Sequence, residues 1–265
     1  MANSRFEYVK QFERENFLLP ETHIVIRVDG KGFHKFSAHY GFDKPNDIRA
    51  LNVMNRAAQA IVAQFPDIQM AYGDSDEYLF LLRRTCELFE RREMKLVSTF
   101  ALFMLVYYVM EWNREFPEKP LVIERLPTFD ARAVVYPNAQ TVRDYFSWRQ
   151  VDCHINNLYN TTFWKLIEKC GMTGQEAENY LLGTVSSDKN EILFSKCGIN
   201  YNNEPEIFKK GTVIVREYKE ENHVELPSER QKQRIAKARK KAQISVLHVD
   251  IIKGDFWSQR PWLLE

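Results

Sequence analysis

Two short acidic motifs, each at the end of an apolar run, most constrain what this chain can fold into. They occupy residues 27–33 (RVDGKGF) and 73–77 (GDSDE), with a stretch of helical periodicity between them. The apolar runs before them are rich in β-branched residues, which is typical of strands. If the two strands belong to one sheet, both acidic motifs can lie at the same edge of it.

The pattern of the first 136 residues predicts the order β-α-β-β-α-β. Strands are expected at 23–28, 68–72, 78–82 and 129–136. One helix should begin after Asp47, a suitable N-cap, and end before Pro66-Asp67. A longer helix is expected from about Cys86 to Arg114. This order is the α+β, ferredoxin-like unit whose antiparallel sheet forms the palm of many polymerases and cyclases, although a fold alone does not fix a chemistry.

Pro137-Asn138 marks the expected boundary between two parts, a catalytic palm domain (1–136) and a mostly helical C-terminal subdomain packed on it (137–265). The second part would begin with a helix from Thr141 to about Cys170. It would continue through a loop at 186–191 and a β-leaning piece at 211–218. A basic run follows at 230–241.

Composition indicates an ordinary intracellular globular protein. The formal net charge is +1, so any nucleic-acid surface must be a local basic patch. The four cysteines have no zinc-like spacing, and residues 1–14 have no apolar core of a signal peptide. The apolar stretch Leu96 to Trp112 is shorter than a typical span of ~20 residues. We therefore expect a buried core helix, no membrane association, and a cytoplasmic or nuclear location.

The acidic motifs predict a metal site. Asp29 ends the first strand and Asp76 lies in the hairpin between the second and third. Divalent ions such as Mg²⁺ bind carboxylates together with substrate phosphates, and two ions ~4 Å apart support phosphoryl displacement. The pattern leaves open whether Asp74 or Glu77 also takes part. The competing interpretation is that both motifs only form turns, where Asp and Gly are common.

The residues next to Asp29 favour a phosphate-binding loop. Gly30 and Gly32 allow close backbone approach, and successive N–H groups can bind an anion. Arg27, Lys31 and Lys44 could neutralise a triphosphate. The group Arg91, Arg92 and Lys95 could also do so, or it could be a solvated helix turn paired with nearby glutamates.

Residues 154–160 (HINNLYN) gather amides and aromatic rings that could contact unpaired bases. The alternative is that the asparagines brace a helix and His154 is an interior histidine. The basic run at 230–241 is either a solvated tail or a segment that follows RNA phosphates.

Five blocks together resemble the tRNA(His) 5′-guanylyltransferases of the eukaryotic type. They are RVDG at 27–30, GxSDEY at 73–78, FDxR at 129–132, HINNLYN at 154–160 and DKNEIL at 188–193, where x marks a position outside the resemblance. At the first such position, here Asp74, some members of the family have a non-acidic residue. The resemblance covers nearly the whole chain. It implies a palm-like catalytic domain, two Mg²⁺ ions, and a homotetramer built as a dimer of dimers.

The resemblance also implies a reaction in which one guanosine is added to the 5′ end of tRNA(His). ATP would adenylylate the 5′-phosphate of the tRNA, and the 3′-hydroxyl of GTP would then attack that phosphate. Pyrophosphate would be removed later. The partner is tRNA(His), and ATP and GTP are substrates.

Carried over by motif, the resemblance assigns roles to named residues. The implied catalytic residues are Asp29, Asp76 and Glu77. The implied metal ligands are Asp29, the Gly30 carbonyl and Asp76. The implied nucleotide-binding residues are Asp29, Gly30, Lys31, Gly32, Phe33, His34, Lys44, Asp47, Ser75, Asp76, Arg92 and Lys95. The implied tRNA-recognition residues are His154, Asn157, Asn160, Lys189 and Asn190.

Two other functions are compatible with the motifs. A nucleotide cyclase or another palm nucleotidyltransferase would use the same metal chemistry, and cyclic nucleotide formed from GTP alone would reveal a cyclase. A catalytically silent tRNA-binding protein is the other alternative, and it is disfavoured because both acidic motifs are intact.

Overall fold

A six-stranded antiparallel sheet forms the centre of the computed structural model, which describes residues 4–218 and 228–264. The strands are β1 (His23–Gly30), β2 (Ile68–Asp74), β3 (Glu77–Leu82), β4 (Phe129–Tyr136), β5 (Thr212–Arg216) and β6 (Ile244–Leu247). Their spatial order is β4-β1-β3-β2-β5-β6. The first four strands therefore have the predicted ferredoxin-like arrangement, and the last two extend it beyond β2.

The helices of the described residues are α1 (Phe33–His39), α2 (Ile48–Gln64), α3 (Glu93–Glu115), α4 (Ala139–Cys170), α5 (Gly174–Leu181), α6 (Ser186–Cys197), α7 (Glu206–Lys210), α8 (Glu229–Lys241) and α9 (Gly254–Ser258). Asp47 caps α2 as predicted, because its carboxylate accepts the N–H of Arg49. The loop predicted at 186–191 is wrong, since these residues begin α6. The basic run forms α8, and β5 confirms the predicted β-leaning piece.

The long helix α3 begins at Glu93, so the predicted start near Cys86 is wrong. Phe89, Glu90 and Arg91 have φ values of 51°, 57° and 58°, in the left-handed region that stops a right-handed helix. The buried guanidinium of Arg91 holds this segment by donating to carbonyls of Leu18, Leu19, Thr22, Arg84 and Cys86. No sequence period signals such an arginine.

Both faces of the sheet are covered by apolar side chains. On one face, α2 and α3 pack residues such as Ile61 and Phe100 against Phe80 of β3. On the other, Phe146 of α4 and Trp257 of α9 pack against strand residues that include Val25. Residues from both sides of position 136 thus share one sheet and one core. The division into a palm domain and a recognition subdomain stays a prediction.

Among the described residues, α3 is the one helix with the length and composition of a membrane span. The residues that form its buried stripe are Leu96, Phe100, Met104, Tyr108 and Trp112. The helix is therefore part of the core, as predicted, but only on one face. Its opposite face exposes Leu102, Val106 and Met110 by 60%, 54% and 61%.

We predict that Arg91→Lys lowers the free energy of unfolding by about 2–4 kcal/mol, because one ammonium cannot satisfy all the carbonyls that the guanidinium reaches. Urea denaturation followed by circular dichroism would measure the change. Arg114→Lys is the matched control, because Arg114 is exposed and forms an ion pair with Glu111 on the surface of α3. Equal stability of the two variants would contradict the assigned role.

Candidate active site

The strand register brings the acidic motifs together at one edge of the sheet. Asp29 in β1 lies opposite Glu77 in β3. Ser75 and Asp76 form the tight turn between β2 and β3, and Ser75 has a φ of 54°. The N–H of Gly30 donates to the carbonyl of Asp76 at 3.0 Å, which joins the end of β1 to this turn. The predicted convergence of the two motifs is therefore observed.

Gly30 is needed because no side chain fits at its position. A Cβ there would lie 2.5 Å from the Phe33 ring and 2.8 Å from the Cβ of Asp76. Gly32 begins α1 with a φ of 70°, a value that favours glycine. The amides of Gly30 and Lys31 are already used, since they donate to Asp76 and Thr128. These two amides are therefore not available to an anion, and the predicted phosphate-binding part of the loop is limited to residues from Gly32 onwards.

Two arginines hold the carboxylates of Asp29 and Glu77. Arg27 Nη2 lies 2.7 Å from Asp29 Oδ2 and 2.5 Å from Glu77 Oε2. Arg149 of α4 approaches the other oxygen of Glu77, with Nε 2.7 Å from Oε1. Glu77 is buried between the two guanidiniums. Its carboxylate therefore orients Arg27 and Arg149, and through Arg27 it also orients Asp29.

Burial raises the pKa values of three carboxylates at this edge, Asp74, Asp76 and Glu77. Burial raises the pKa of Asp74 to about 6, and Glu77 adds repulsion. Burial, followed by repulsion from Asp29, raises the pKa of Asp76 to about 6. Burial also raises the pKa of Glu77, although Arg149 and Arg27 act in the opposite direction. This edge therefore favours a positively charged ligand beside Asp76.

These carboxylates line a cavity of about 650 Å³ between the sheet edge, the loop after β1 and helix α4. The predicted site residues that line it are Asp29, Gly30, Gly32, Phe33, His34, Lys44, Asp47, Ser75, Asp76, Glu77, Asn157 and Asn160. The cavity can hold a drug-sized ligand such as a nucleotide.

The remaining predicted residues lie outside this cavity. Lys31 is exposed beside it. Arg92 and Lys95 are at the start of α3, where Arg92 pairs with Glu15 at 3.1 Å. Lys189 of α6 donates to the carbonyl of Thr184, which precedes that helix, and Asn190 donates to the carbonyl of Ser186 one turn earlier. Their nucleotide and RNA roles stay predictions.

The HINNLYN block contains both exposed residues and a buried residue that holds two segments together. The amide nitrogen of Asn46 donates to the Asn157 oxygen at 2.8 Å, and the Asn157 nitrogen donates to the Tyr201 hydroxyl at 2.8 Å. Asn157 is buried, so it braces the loop before α2 against α4. His154 and Asn160 are exposed. The bracing interpretation thus holds for Asn157, His154 is not an interior residue, and RNA contact by the exposed residues stays a prediction.

The carboxylates at this edge fit a hard cation that takes its remaining ligands from a substrate and from water. Among residues 4–218 and 228–264, no cluster of three or more metal-binding side chains occurs. Asp29 and Asp76 are nevertheless close enough for their charges to interact. Mg²⁺ characteristically takes one or two carboxylates plus phosphate oxygens and water. Two carboxylates beside the Gly30 backbone are consistent with that preference.

Comparison with known proteins identifies the family of this chain. The family model described as tRNAHis guanylyltransferase matches residues 6–137, and the one described as Thg1 C terminal domain matches residues 140–253. The tRNA(His) guanylyltransferase of Debaryomyces hansenii is 72% identical over the full length of both chains. The chain belongs to the tRNA(His) guanylyltransferase family. It is an enzyme of the nucleotidyltransferase class.

Solved structures show the same fold. The crystal structure of the Saccharomyces cerevisiae enzyme is 57% identical, with a TM-score of 0.78, and the match covers 80% of this chain and 93% of that chain. Two bacterial Thg1-like structures, one in complex with ATP and one with GTP, have TM-scores of 0.74 and 0.65. They are 22% and 21% identical and each match covers 98% of this chain and 97% of theirs.

Sequence reasoning missed several residues of the cavity. Arg149, Cys153, Trp164 and Phe208 line it from α4 and α7. Arg149 is the most important of them because it pairs with Glu77. Its only signal in the sequence is the i,i+3 spacing to Asp152, which is common on exposed helices. The pairing to a strand 72 residues away has no local pattern.

We predict that Asp76→Asn stabilises the metal-free protein at pH 7.5 by about 1–3 kcal/mol. The folded-state pKa of Asp76 lies above its ordinary value, so the native state loses stability as the pH rises through about 6. The gain from the substitution should therefore be present at pH 7.5 and shrink towards pH 4. Thermal denaturation in EDTA at both pH values would measure it.

Asp130→Asn is the control, because Asp130 is exposed on the neighbouring strand β4. A stabilisation by Asp76→Asn that is the same at both pH values would contradict the assigned burial of charge.

Proposed function

We propose that this chain adds one guanosine to the 5′ end of tRNA(His). The observation that carries the proposal is the meeting of Asp29 and Asp76 beside Gly30 at the mouth of a nucleotide-sized cavity. Membership of the guanylyltransferase family supports the same conclusion. In the proposed sequence ATP adenylylates the 5′-phosphate, the 3′-hydroxyl of GTP attacks it with release of AMP, and pyrophosphate is removed.

Asp29, Asp76 and the Gly30 carbonyl would hold two Mg²⁺ ions. Bound there, the ions would supply charge stabilisation for the attacking and leaving oxygens of a phosphoryl displacement. Arg27 and Arg149 keep Asp29 and Glu77 in fixed positions, so little rearrangement is needed when a substrate enters. Both chemical steps are phosphoryl transfers, which depend mainly on positioning and charge neutralisation. No covalent enzyme intermediate is required.

The loop from Gly32 to His34 and the side chain of Lys44 would bind the nucleotide phosphates. Lys44 Nζ lies 5.9 Å from the centre of the Trp164 ring, inside the cavity. Asp47 would support nucleotide binding indirectly, by fixing the shape of the loop before α2. Its carboxylate accepts hydrogen bonds from the N–H groups of Asp43 and Arg49. The bacterial Thg1-like proteins were solved with ATP and with GTP, which supports two nucleotide substrates here.

For the tRNA itself, the exposed residues of the second part are the candidates for contact. His154 and Asn160 are exposed on α4, and Asn190 is exposed on α6. Their side chains can stack on or hydrogen-bond unpaired bases. Asn157 and Lys189 would act indirectly, because their polar atoms already bond protein groups.

We predict that Asp29→Ala and Asp76→Ala each lower guanosine addition at least 1,000-fold, because phosphoryl transfer depends on charge neutralisation at this edge. The assay would contain Mg²⁺, ATP, labelled GTP and 5′-monophosphorylated tRNA(His). Asp130→Ala, at the same edge but exposed, is the control and should retain activity. A tRNA with a swapped anticodon would test the choice of RNA.

Each other outcome points to a different function. Adenylylation retained by Asp76→Ala would contradict one shared metal site for both steps. Cyclic nucleotide formed from GTP alone would indicate a cyclase. Binding of tRNA without any transfer by the wild-type protein would indicate a silent binding protein.

We propose further that the chain assembles as a homotetramer, a dimer of dimers. The exposed apolar face of α3, with Leu102, Val106 and Met110, supports self-association because monomers rarely expose contiguous apolar patches. A tRNA is much longer than one such chain, so different subunits would contact its two ends.

We predict that Leu102→Glu together with Val106→Glu lowers the particle mass measured by light scattering, because charges on this face would oppose its burial between subunits. Leu182→Glu is the control, since Leu182 is 83% exposed on another part of the surface. An unchanged mass for the double variant would show that the α3 face is not an interface.

A further inference from the structure

Helix α8 carries a stripe of positive charge along one side. Arg230, Arg234, Lys237 and Lys241 follow the spacing i, i+4, i+7, i+11, which places them on one face of a helix. All four are exposed. Of the 13 residues of α8, only Glu229 is acidic. Among the side chains that the structure describes, none of these four residues forms an ion pair.

A stripe of one charge sign is unfavourable for an isolated helix. Like charges at i,i+4 destabilise a helix by tenths of a kilocalorie per pair, whereas mixed charges stabilise it. The whole protein has a net charge of only +1, so the concentration of charge on α8 is local. An anionic surface that runs along the helix would remove the repulsion.

The side chains of α8 favour a phosphate backbone over a membrane surface. A helix that lies on a membrane needs a broad apolar face with residues such as Leu, Phe or Trp. The apolar residues of α8 are Ile235, Ala236 and Ala238. The stripe is about 16 Å long at ~1.5 Å per residue. Phosphates along one strand of a duplex repeat every ~3.4 Å of axis, so several could meet it.

Contacts at the C-terminal part of α8 fix its place in the fold. Arg216, at the end of β5, donates to the carbonyl of Arg239 at 2.8 Å and to the carbonyl of Ile68 at 3.2 Å. Ile68 begins β2, whereas Asp74 ends it at the carboxylate edge. Because a strand advances ~3.3 Å per residue, α8 is anchored ~20 Å from the active-site edge.

We propose that the stripe on α8 is a second RNA-binding surface, one that contacts the phosphate backbone of the tRNA body and not the reacting 5′ end. This proposal rests on the proposed function, since it takes its RNA from that activity. The surface would contribute affinity without base specificity, because phosphate contacts carry no sequence information. It would also make binding strongly dependent on salt.

The test compares the wild-type protein with a variant in which Arg230, Arg234, Lys237 and Lys241 are all replaced by Gln. A control variant removes the same number of charges elsewhere, at the exposed residues Lys10, Arg114, Lys169 and Lys253. Circular dichroism would establish that all three proteins are folded. Each would be titrated with full-length tRNA(His) and with a five-base-pair hairpin carrying the same 5′ end. At ~3.4 Å per pair or less, that hairpin is too short to span ~20 Å.

We expect the α8 variant to bind tRNA at least tenfold more weakly. The slope of log affinity against log salt concentration should fall by up to about 3.6, because four phosphate contacts at ~0.9 each are lost. Its affinity for the hairpin, and its rate of guanosine addition to the hairpin, should equal those of the wild type. The control variant should match the wild type with both RNAs.

Three outcomes would overturn the proposal. The first is unchanged tRNA affinity and salt slope in the α8 variant. The second is equal weakening for the hairpin, which would place the contact at the reacting end. The third is unchanged tRNA binding together with lost binding of poly-glutamate, which would indicate an acidic protein partner. Absence of guanosine addition by the wild type, with the binding difference intact, would overturn the proposed function alone.

Discussion

The balance of charge at one edge of the sheet is the constraint on which the rest of the structure depends. Four carboxylates, those of Asp29, Asp74, Asp76 and Glu77, line one cavity. Arg27 bridges two of them, and Arg149 secures Glu77 from the opposite side. Within residues 4–218 and 228–264, Asp76 has no ion pair with a cationic side chain, and burial raises its pKa to about 6. Asp29 and Glu77 are thus neutralised by arginines, whereas the negative charge of Asp76 is not. An uncompensated carboxylate of this kind is expected at a site that binds a cation.

This balance also explains why the second part of the chain packs so closely on the first. Arg149 belongs to α4, whereas its partner Glu77 begins β3. Phe146, one turn earlier in α4, is fully buried against the sheet. The same helical segment therefore supplies core packing on one side and a counter-charge on the other. Strand β5 adds a further connection by pairing with β2, the strand that leads into the acidic turn.

The sequence was informative where interactions are local. The β-branched runs, the Asp47 cap and the tight turn at Ser75-Asp76 each depend on neighbouring residues, and all of them were predicted. The start of α3 was not, because three left-handed residues are stabilised by one arginine that reaches distant carbonyls. Strand β6 was also missed, since its four residues alternate poorly and pair only with β5. Segment 186–191 was interpreted as a loop because its polar residues suit turns, yet a capping contact from Asp188 begins a helix there.

For the site, the carboxylates and the glycine loop could be predicted because turn chemistry and strand ends determine where they lie. Which backbone amides of the loop stay available to a ligand could not be predicted. That depends on the carbonyls to which Gly30 and Lys31 donate in the folded state. The roles of Arg149 and Asn157 depend in the same way on contacts between distant segments. Asn157 illustrates the point, because one amide can read a base or brace a loop, and only the position of Asn46 and Tyr201 distinguishes the two.

Helix α4 has a mechanical consequence. Its 32 residues extend for about 48 Å without a break. Arg149, about one third of the way along the helix, pairs with Glu77, while Leu166 near the C-terminal end packs with Ala177 and Leu181 of α5. These two positions are joined by about 26 Å of helix at ~1.5 Å per residue. Because no loop interrupts the helix between them, the packing of α5 at one position constrains where Arg149 lies relative to Glu77 at the other.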